Sequence, residues 1–252
     1  MSFSSFFLDK FKMTKKRVLV LVIASFINPE YIKMKEIWER RCIPDMWFIR
    51  CKPESQWLDD LFDDDSSFNN MFELDVENRT LFVKGDECFI PGILHKTVEA
   101  ISFFLLHRKD ANTYDYVWRT NLSSVLHVNG LLAYLDKIKD DKGVYGGCIG
   151  KEHSTNILFA SGAGFLMSRD VALNLVENKS QLRYDLIDDV AIGGYLEPRF
   201  SILPIDRCWV KTGSEDIKKF ELNEGIFHFR CESYQHLRTA ELMEFVSKSL
   251  SS

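Results

Sequence analysis

A nearly uninterrupted run of apolar, mostly branched side chains at residues 17–24 constrains the fold of this chain most. A strand with one face in water alternates apolar and polar residues, whereas a continuous apolar run is typical of a strand buried on both faces. Residues 30–41 have the period and composition of a helix, and residues 46–51 predict a second strand. The chain therefore opens with a predicted strand–helix–strand unit, the start of a Rossmann-like layer of parallel strands.

Alternating strands and helices continue along the rest of the chain. Further strands are predicted at 80–84, 114–119, 144–149, 156–160, 199–204 and 226–230. Further helices are predicted at 91–108, 126–139, 169–178, 186–196 and 232–250. We expect a loosely docked leader at 1–16 and a single α/β domain at 17–252, divided into a Rossmann-like half at 17–125 and a mixed-sheet half at 126–252.

Composition and charge narrow the class of function. The 252-residue chain is 46% hydrophobic, which supplies a sizeable core and argues against a disordered protein. Its net charge of −5 argues against general nucleic-acid binding, which needs a basic face. Its six cysteines form no Cys-x-x-Cys pair, and no apolar run is long enough to span a bilayer. We therefore expect a cytoplasmic protein with free thiols and no membrane span.

A predicted hydrophobic strand ends in a cluster of polar residues. The cluster consists of Arg119, Thr120, Asn121 and Ser123. Ligands collect at the carboxyl ends of strands in open α/β sheets, and these side chains offer a fixed charge, hydroxyls and an amide. Such groups can hydrogen-bond the ribose or diphosphate of a nucleotide. The alternative is structural, because Asn121 or Ser123 could simply cap the following helix.

Two glycines between a predicted strand and a predicted helix indicate a turn that brings bare backbone close to a ligand. Gly162 and Gly164 flank Ala163 in this segment. Glycine reaches positive φ without strain and leaves space that a side chain would fill. We expect Gly162, Ala163 and Gly164 to shape a sugar or acceptor pocket. The alternative is a plain strand–turn–helix connection.

Two adjacent carboxylates, Asp188 and Asp189, stand at the predicted start of a helix. The helix dipole stabilises ionised carboxylates at this end. A carboxylate placed there can accept the proton of a hydroxyl that attacks an anomeric carbon. The alternative is that both acids only cap the helix.

His228 stands in an alternating apolar run between Phe227 and Phe229. Such a histidine is either a packed core residue or a contact to a metal ion or a diphosphate. Arg230 lies two residues further and shares that face of the predicted strand, where it would add positive charge. An acidic run at 59–65 is expected to be a solvated loop, with metal binding as the alternative.

Four segments together resemble the fringe/β-1,3-galactosyltransferase group of GT-A glycosyltransferases. They occur in that group's order and are Arg119-Thr-Asn-Leu-Ser123, Ser161-Gly-Ala-Gly-Phe165, Asp188-Asp-Val-Ala-Ile-Gly193 and His228. The first segment is also similar to small soluble glycosyltransferases of large algal viruses. The resemblance covers residues 17–230 and implies a single GT-A-type domain with a nucleotide-sugar half and an acceptor half.

By this resemblance, the protein transfers a sugar from a nucleoside diphosphate donor, with UDP as the expected nucleotide, to a hydroxyl of a glycan or glycoprotein acceptor. The transfer inverts the anomeric carbon. The resemblance gives Asp189 the role of general base and Asp188 that of its supporting neighbour. It assigns the donor to Arg119, Thr120, Asn121 and Ser123, and the sugar or acceptor to residues 162–164.

The chain departs from this group at the metal site. The aspartate triplet that holds a divalent cation there, Mn or Mg, falls here on Asn121, Leu122 and Ser123. Neutral oxygens are poor ligands for such hard cations. Three outcomes are open: a metal held weakly with help from His228 or another acid, neutralisation of the diphosphate by arginine and lysine, or a non-catalytic module that binds a nucleotide sugar or carbohydrate. The identities of sugar and acceptor do not follow from the sequence.

Overall fold

The computed structural model of this protein describes residues 16–25, 28–56, 71–211, 225–233 and 236–250. Its strands are β1 (Val18–Ile23), β2 (Met46–Lys52), β3 (Phe72–Asp75), β4 (Thr80–Lys84), β5 (Tyr116–Asn121), β6 (Ser124–Leu126), β7 (Tyr145–Lys151), β8 (Leu158–Ser168), β9 (Ile202–Pro204), β10 (Cys208–Lys211) and β11 (His228–Glu232). Its α-helices are α1 (Pro29–Arg40), α2 (Gly92–Ser102), α3 (Val128–Leu135), α4 (Arg169–Glu177), α5 (Asp188–Phe200) and α6 (Thr239–Ser249). The predicted leader, apart from Lys16, and the acidic run at 59–65 lie outside the described residues.

Eight of these strands form one sheet, in the order β3-β4-β2-β1-β5-β8-β7-β9. From β4 through β2 and β1 to β5, neighbouring strands run parallel, and Ile23 of β1 lies opposite Asn121 of β5. Beyond β5, β8 runs antiparallel to β5 and β7 runs antiparallel to β8. The predicted α/β class, with a Rossmann-like parallel part and a mixed part of the sheet, is therefore confirmed.

Both faces of the central strand β1 are buried, which explains its uninterrupted apolar run. Leu19 and Leu21 lie in one apolar core with residues of α2, α4 and α5. Val20 and Val22 lie in a second core with residues of α1, α3 and α6. The helices thus cover the sheet on both sides, and among those described none is long and apolar enough to cross a bilayer.

A second, three-stranded sheet lies beside the end of β5, in the order β10-β11-β6. β11 runs antiparallel to β6, with Arg230 opposite Ser124, and parallel to β10. The sequence predicted β11 but neither β6 nor β10, because strands of three and four residues are too short to show a period. This sheet brings the C-terminal part of the chain to the residues that follow β5.

Two elements differ from the sequence prediction near the candidate site. The segment predicted as a strand and then a glycine turn is one continuous strand, β8. Its pairing with β5 on one side and β7 on the other holds it extended. α5 begins at Asp188, where a helix start was predicted, but it runs to Phe200 instead of giving way to a strand at 199. Pro198 lies inside this helix and has no N–H for an intrahelical bond, and the helix ends two residues later at Phe200.

Candidate active site

A cavity of about 450 Å³ lies at the carboxyl ends of β1 and β5. Ala24, which follows β1, lines it together with Asn121 and Ser123 at the end of β5. Lys96 of α2 and Arg230 of β11 complete its polar wall. The cavity lies where ligands bind in open α/β sheets, and its volume is in the usual range of small-molecule sites.

Only part of the predicted donor segment reaches this cavity. Asn121 and Ser123 line it, whereas Arg119 and Thr120 are 1% and 0% exposed and form their bonds inside the protein. Unlike Lys96, which is also buried, neither of these two side chains lines the cavity. Arg119 and Thr120 thus lie behind the cavity wall, where they bond to Gly162 and Ala163 of β8, and their predicted contact with a donor stays a prediction.

The Arg119 guanidinium joins three segments of the site. Its Nη1 donates to the Gly162 carbonyl oxygen and, at 3.0 Å, to Asn121 Oδ1. Its Nη2 donates to the Asp188 carboxylate in a buried ion pair. Because the guanidinium is planar and rigid, these contacts fix β5, β8 and the start of α5 relative to one another.

Asp188 and Asp189 are the first two residues of α5 and have different surroundings. Asp188 is paired with Arg119, whereas Asp189 is half-buried and accepts the Gly162 N–H at 2.8 Å through Oδ2. Asp189 Oδ1 accepts the Val190 N–H at 3.0 Å. Burial, followed by the negative charge of Asp188, raises the pKa of Asp189 above its ordinary value. The pair thus consists of one ion-paired carboxylate and one with increased proton affinity.

Gly162 and Gly164 leave room for other parts of the site and do not form a turn. Neither residue has a positive φ. A Cβ on Gly162 would lie 3.0 Å from Arg119 Nη1 and 3.2 Å from Asp189 Oδ2. A Cβ on Gly164 would lie 2.6 Å from the His228 ring. The predicted turn is therefore wrong, but the close approach to bare backbone is real and involves the protein's own side chains.

The Ala163 carbonyl oxygen accepts three side-chain hydrogen bonds. The donors are Thr120 Oγ1 at 2.6 Å, Ser124 Oγ at 2.9 Å and His228 Nε2 at 3.1 Å. Since a carbonyl only accepts, Nε2 carries the ring proton. Burial, followed by the charge of Arg207, lowers the pKa of His228 to about 3 and keeps the ring neutral. His228 therefore acts here as a buried donor, and its Nε2 is not free for the predicted metal contact.

Two cationic side chains at the site were missed by the sequence reasoning. Lys96 Nζ donates to the Ala24 carbonyl oxygen at 2.9 Å and to Glu87 Oε2 at 2.6 Å. Arg207 Nη1 donates to Ser161 Oγ at 2.8 Å. No spacing in the sequence distinguishes these residues from surface cations, because only the packing of distant segments brings them to the site.

The described residues do not fit a divalent cation at residues 121–123. Asn121 Oδ1 accepts from Arg119, and Ser123 Oγ accepts from Arg230 Nη1. Guanidinium groups thus already use the oxygens that a cation would need. Nor do the described ranges contain a group of three or more His, Cys, Asp or Glu side chains placed to hold a metal ion.

No protein-family model and no curated protein matches this chain. Among solved structures, the chain is similar to a glycosyltransferase involved in the glycosylation of the major capsid of PBCV-1, with a TM-score of 0.49 and 8% sequence identity. That similarity covers 90% of this chain and 98% of the other. At this identity and TM-score it carries no weight for function, which must be inferred from the site itself.

Proposed function

We propose that this protein is a glycosyltransferase that moves a sugar from a nucleoside diphosphate donor to a hydroxyl of a glycan acceptor, with inversion. The observation that carries the proposal is the placement of Asp189. This half-buried carboxylate is bonded to Gly162, which contacts Arg119, which in turn contacts Asn121 at the cavity. Asp189 does not line the cavity itself, but these contacts connect it to the cavity wall at Asn121. The four motifs that resemble GT-A glycosyltransferases support the same reading.

Asp189 is suited to accept a proton from the acceptor hydroxyl. A general base works best when its pKa lies near the working pH, and burial and Asp188 raise the pKa of Asp189 in that direction. A carboxylate has about four lone-pair sites. The N–H groups of Gly162 and Val190 use two of them, so further sites can receive the hydroxyl proton.

Asp188 has a supporting role in this proposal. Its ion pair with Arg119 holds the negative charge in place beside Asp189. Two neighbouring acids whose surroundings differ in this way can take different roles, since one is held in an ion pair while the other exchanges a proton. The same ion pair orients the first turn of α5 and therefore the base.

Transfer at this site proceeds by a single displacement. Asp189 takes the proton of the acceptor hydroxyl while the hydroxyl oxygen forms a bond to the anomeric carbon of the donor. The bond from that carbon to the diphosphate oxygen breaks, and its electron pair leaves with the diphosphate. Because attack and departure take place on opposite faces, the configuration inverts. Positive groups at the cavity offset the charge that develops on the leaving group.

A second candidate is a module that binds a nucleotide sugar or a carbohydrate without catalysis. The observation that favours it is that both oxygens of Asp189 already accept backbone N–H groups, one from Gly162 of β8 and one from Val190 of α5. This candidate requires ligand binding without cleavage of the donor.

Comparison of Asp189→Asn with Asp185→Asn tests the proposal. Asp185 is exposed and pairs with exposed Arg183, so its variant controls for the loss of one carboxylate. Wild type and variants are incubated with a panel of UDP- and GDP-sugars, and donor cleavage, transfer and thermal stabilisation by the donor are measured. We expect Asp189→Asn to lower turnover about 10²–10⁴-fold with donor affinity retained, and Asp185→Asn to behave as wild type.

Two results would contradict this assignment in different ways. Wild-type turnover in Asp189→Asn would remove Asp189 as the base. Donor binding by the wild-type protein without any cleavage or transfer, across the panel and with acceptors present, would favour the non-catalytic module.

A further inference from the structure

The cavity at the ends of β1 and β5 carries an uncompensated positive charge. Among the described residues that line it, Lys96 and Arg230 are cationic and Glu87 is acidic. Glu87 Oε2 lies 2.6 Å from Lys96 Nζ, and Glu87 Oε1 accepts the Cys51 N–H at 2.7 Å. Because Glu87 pairs with Lys96 and with the backbone, it does not neutralise the charge of Arg230.

Arg230 forms no ion pair within the part of the chain that the structure describes; the acid that acts on it, Glu232, pairs with Lys211 at 4.0 Å. Its Nη1 donates to Ser123 Oγ, which is a neutral partner. Burial lowers the pKa of Arg230, so the charged guanidinium has given up water without gaining an ion pair. A partly desolvated cation in this position is stabilised when an anion binds next to it.

We propose that Arg230, together with Lys96, binds the diphosphate of the donor directly and without a divalent cation. This inference rests on the proposed function for the identity of the anion. Lys96 is anchored on the Ala24 carbonyl oxygen after β1, and Arg230 is bonded to Ser123 after β5. β1 and β5 are paired in the sheet, and paired strands lie about 4.8 Å apart. The two cations therefore face the cavity from adjacent strand ends, where one diphosphate can contact both.

The side chains of Arg230 and Lys96 can contact a diphosphate in different ways. A guanidinium presents parallel N–H groups that match two oxygens of a phosphate. An ammonium is a point charge with three donors. Lys96 uses two of its donors on Ala24 and Glu87 and keeps one for a ligand. As the sugar–diphosphate bond breaks, these fixed charges stabilise the negative charge that builds up on the leaving group.

This arrangement also accounts for the departure from the aspartate triplet. In the enzymes that the chain resembles, acidic residues at this place hold a metal ion that carries the positive charge. Here Asn121 and Ser123 give their oxygens to Arg119 and Arg230 instead. The positive charge that a metal ion would supply thus comes from side chains of the protein itself.

The first measurement needs only the wild-type protein. Inorganic pyrophosphate and UDP are titrated into it by calorimetry, once in EDTA and once with an excess of Mg²⁺ or Mn²⁺. We expect the dissociation constant of each probe in EDTA to lie within about threefold of its value with metal. Binding that is lost in EDTA and restored by either metal would overturn the proposal, as would the absence of binding by both probes under all conditions.

Substitutions then test the residues. We expect Arg230→Gln to weaken pyrophosphate binding about tenfold or more, because a hydrogen bond to a charged group is lost, and Arg230→Lys to keep part of the affinity. Arg40→Gln removes the same charge from α1, where Arg40 pairs with Glu244 at 2.5 Å outside the cavity, and should bind as wild type. Thermal unfolding checks that each variant is folded. Unchanged affinity in folded Arg230→Gln would exclude Arg230 as the anchor.

Failure of this inference is distinguishable from failure of the proposed function. If UDP binds in EDTA but no donor sugar is cleaved or transferred, the anion site stands and the transferase assignment fails. If transfer takes place only when a divalent metal is added, the transferase assignment stands and the metal-free site fails.

Discussion

The guanidinium of Arg119 and the carboxylate of Asp188 form a buried ion pair that joins β5 to the first turn of α5. The two residues are 69 positions apart in the sequence, and their side chains are 1% and 10% exposed. Asp189 follows Asp188 in the same turn. The ion pair therefore holds β5 and α5 together and sets the position of the proposed base.

Loss of one partner of this pair should destabilise the protein strongly. We expect Arg119→Gln to lower the free energy of unfolding by about 3–5 kcal/mol, because it leaves the Asp188 carboxylate buried without a counter-charge. Urea unfolding measures the change. The double variant Arg119→Met with Asp188→Leu should recover part of the loss, since an apolar pair carries no buried charge.

Arg183→Gln is the matched control for this prediction. It breaks an ion pair with Asp185 in which both side chains are largely exposed, and pairs of that kind contribute little. Its urea midpoint should equal that of the wild type. If Arg119→Gln and Arg183→Gln had equal effects, the pair with Asp188 would not hold β5 to α5.

His228 should make the stability of the protein sensitive to acid. Burial, and then Arg207, lowers its pKa from 6.5 to about 3 in the folded state. The unfolded chain therefore binds the proton more readily, so the stabilisation is complete above about pH 6.5 and is lost as the pH falls toward 3. His228→Gln does not titrate but keeps a side-chain N–H for the Ala163 carbonyl.

The measurement is urea unfolding of wild type and His228→Gln at several pH values. We expect the stability advantage of the wild type to shrink by about 1.4 kcal/mol per pH unit between about pH 6 and pH 4. A difference that stays constant over this range would mean that the folded protein accommodates a protonated His228.

Local sequence patterns were enough to predict the elements whose environment is uniform along their length. β1 is apolar at every position because both its faces are covered, and that run is visible without any partner strand. The start of α5 was equally visible, since Asp188 and Asp189 have the preference of acids for a helix N-terminus.

The remaining features of the candidate site depend on contacts between segments that are distant in the sequence. The sequence placed Arg119 at a ligand, but its charge is taken up by Asp188, which the fold brings beside it. Gly162 and Gly164 suggested a turn, yet pairing of β8 on both sides keeps them extended. Lys96 reaches the cavity only because α2 packs over the end of β1, where its ammonium meets the Ala24 carbonyl. A pattern read along one chain does not contain such contacts.

Gly164 should not tolerate even a methyl group. A Cβ there would lie 2.6 Å from His228 Cε1 and 2.7 Å from Trp118 Cζ2, and both rings are buried. We expect Gly164→Ala to lower the free energy of unfolding by about 1–3 kcal/mol. Gly194→Ala is the control, because in α5 the nearest atom to the new Cβ is the flexible end of Ile157 at 3.2 Å.

The two alanine substitutions should change the free energy of unfolding in different directions. Alanine forms helix more readily than glycine, so Gly194→Ala should be neutral or stabilising by up to about 1 kcal/mol. Urea unfolding of both variants makes the comparison. A Gly164→Ala protein as stable as the wild type would show that the His228 and Trp118 rings move aside at little cost.

Asp189 should decrease the stability of the folded protein, although turnover depends on it. Burial first and Asp188 second raise its pKa from 3.8, so the folded state binds the proton more tightly than the unfolded state. Its contribution to stability is therefore present below about pH 3.8 and is lost as the pH rises through the raised pKa. Asp189→Asn replaces the carboxylate with a neutral amide, whose oxygen can still accept the Gly162 N–H but whose nitrogen cannot accept the Val190 N–H. We expect this variant to unfold at a higher urea concentration than the wild type while its turnover falls about 100-fold or more. A variant that loses both stability and turnover would show that the carboxylate serves the fold, and Asp185→Asn should change neither.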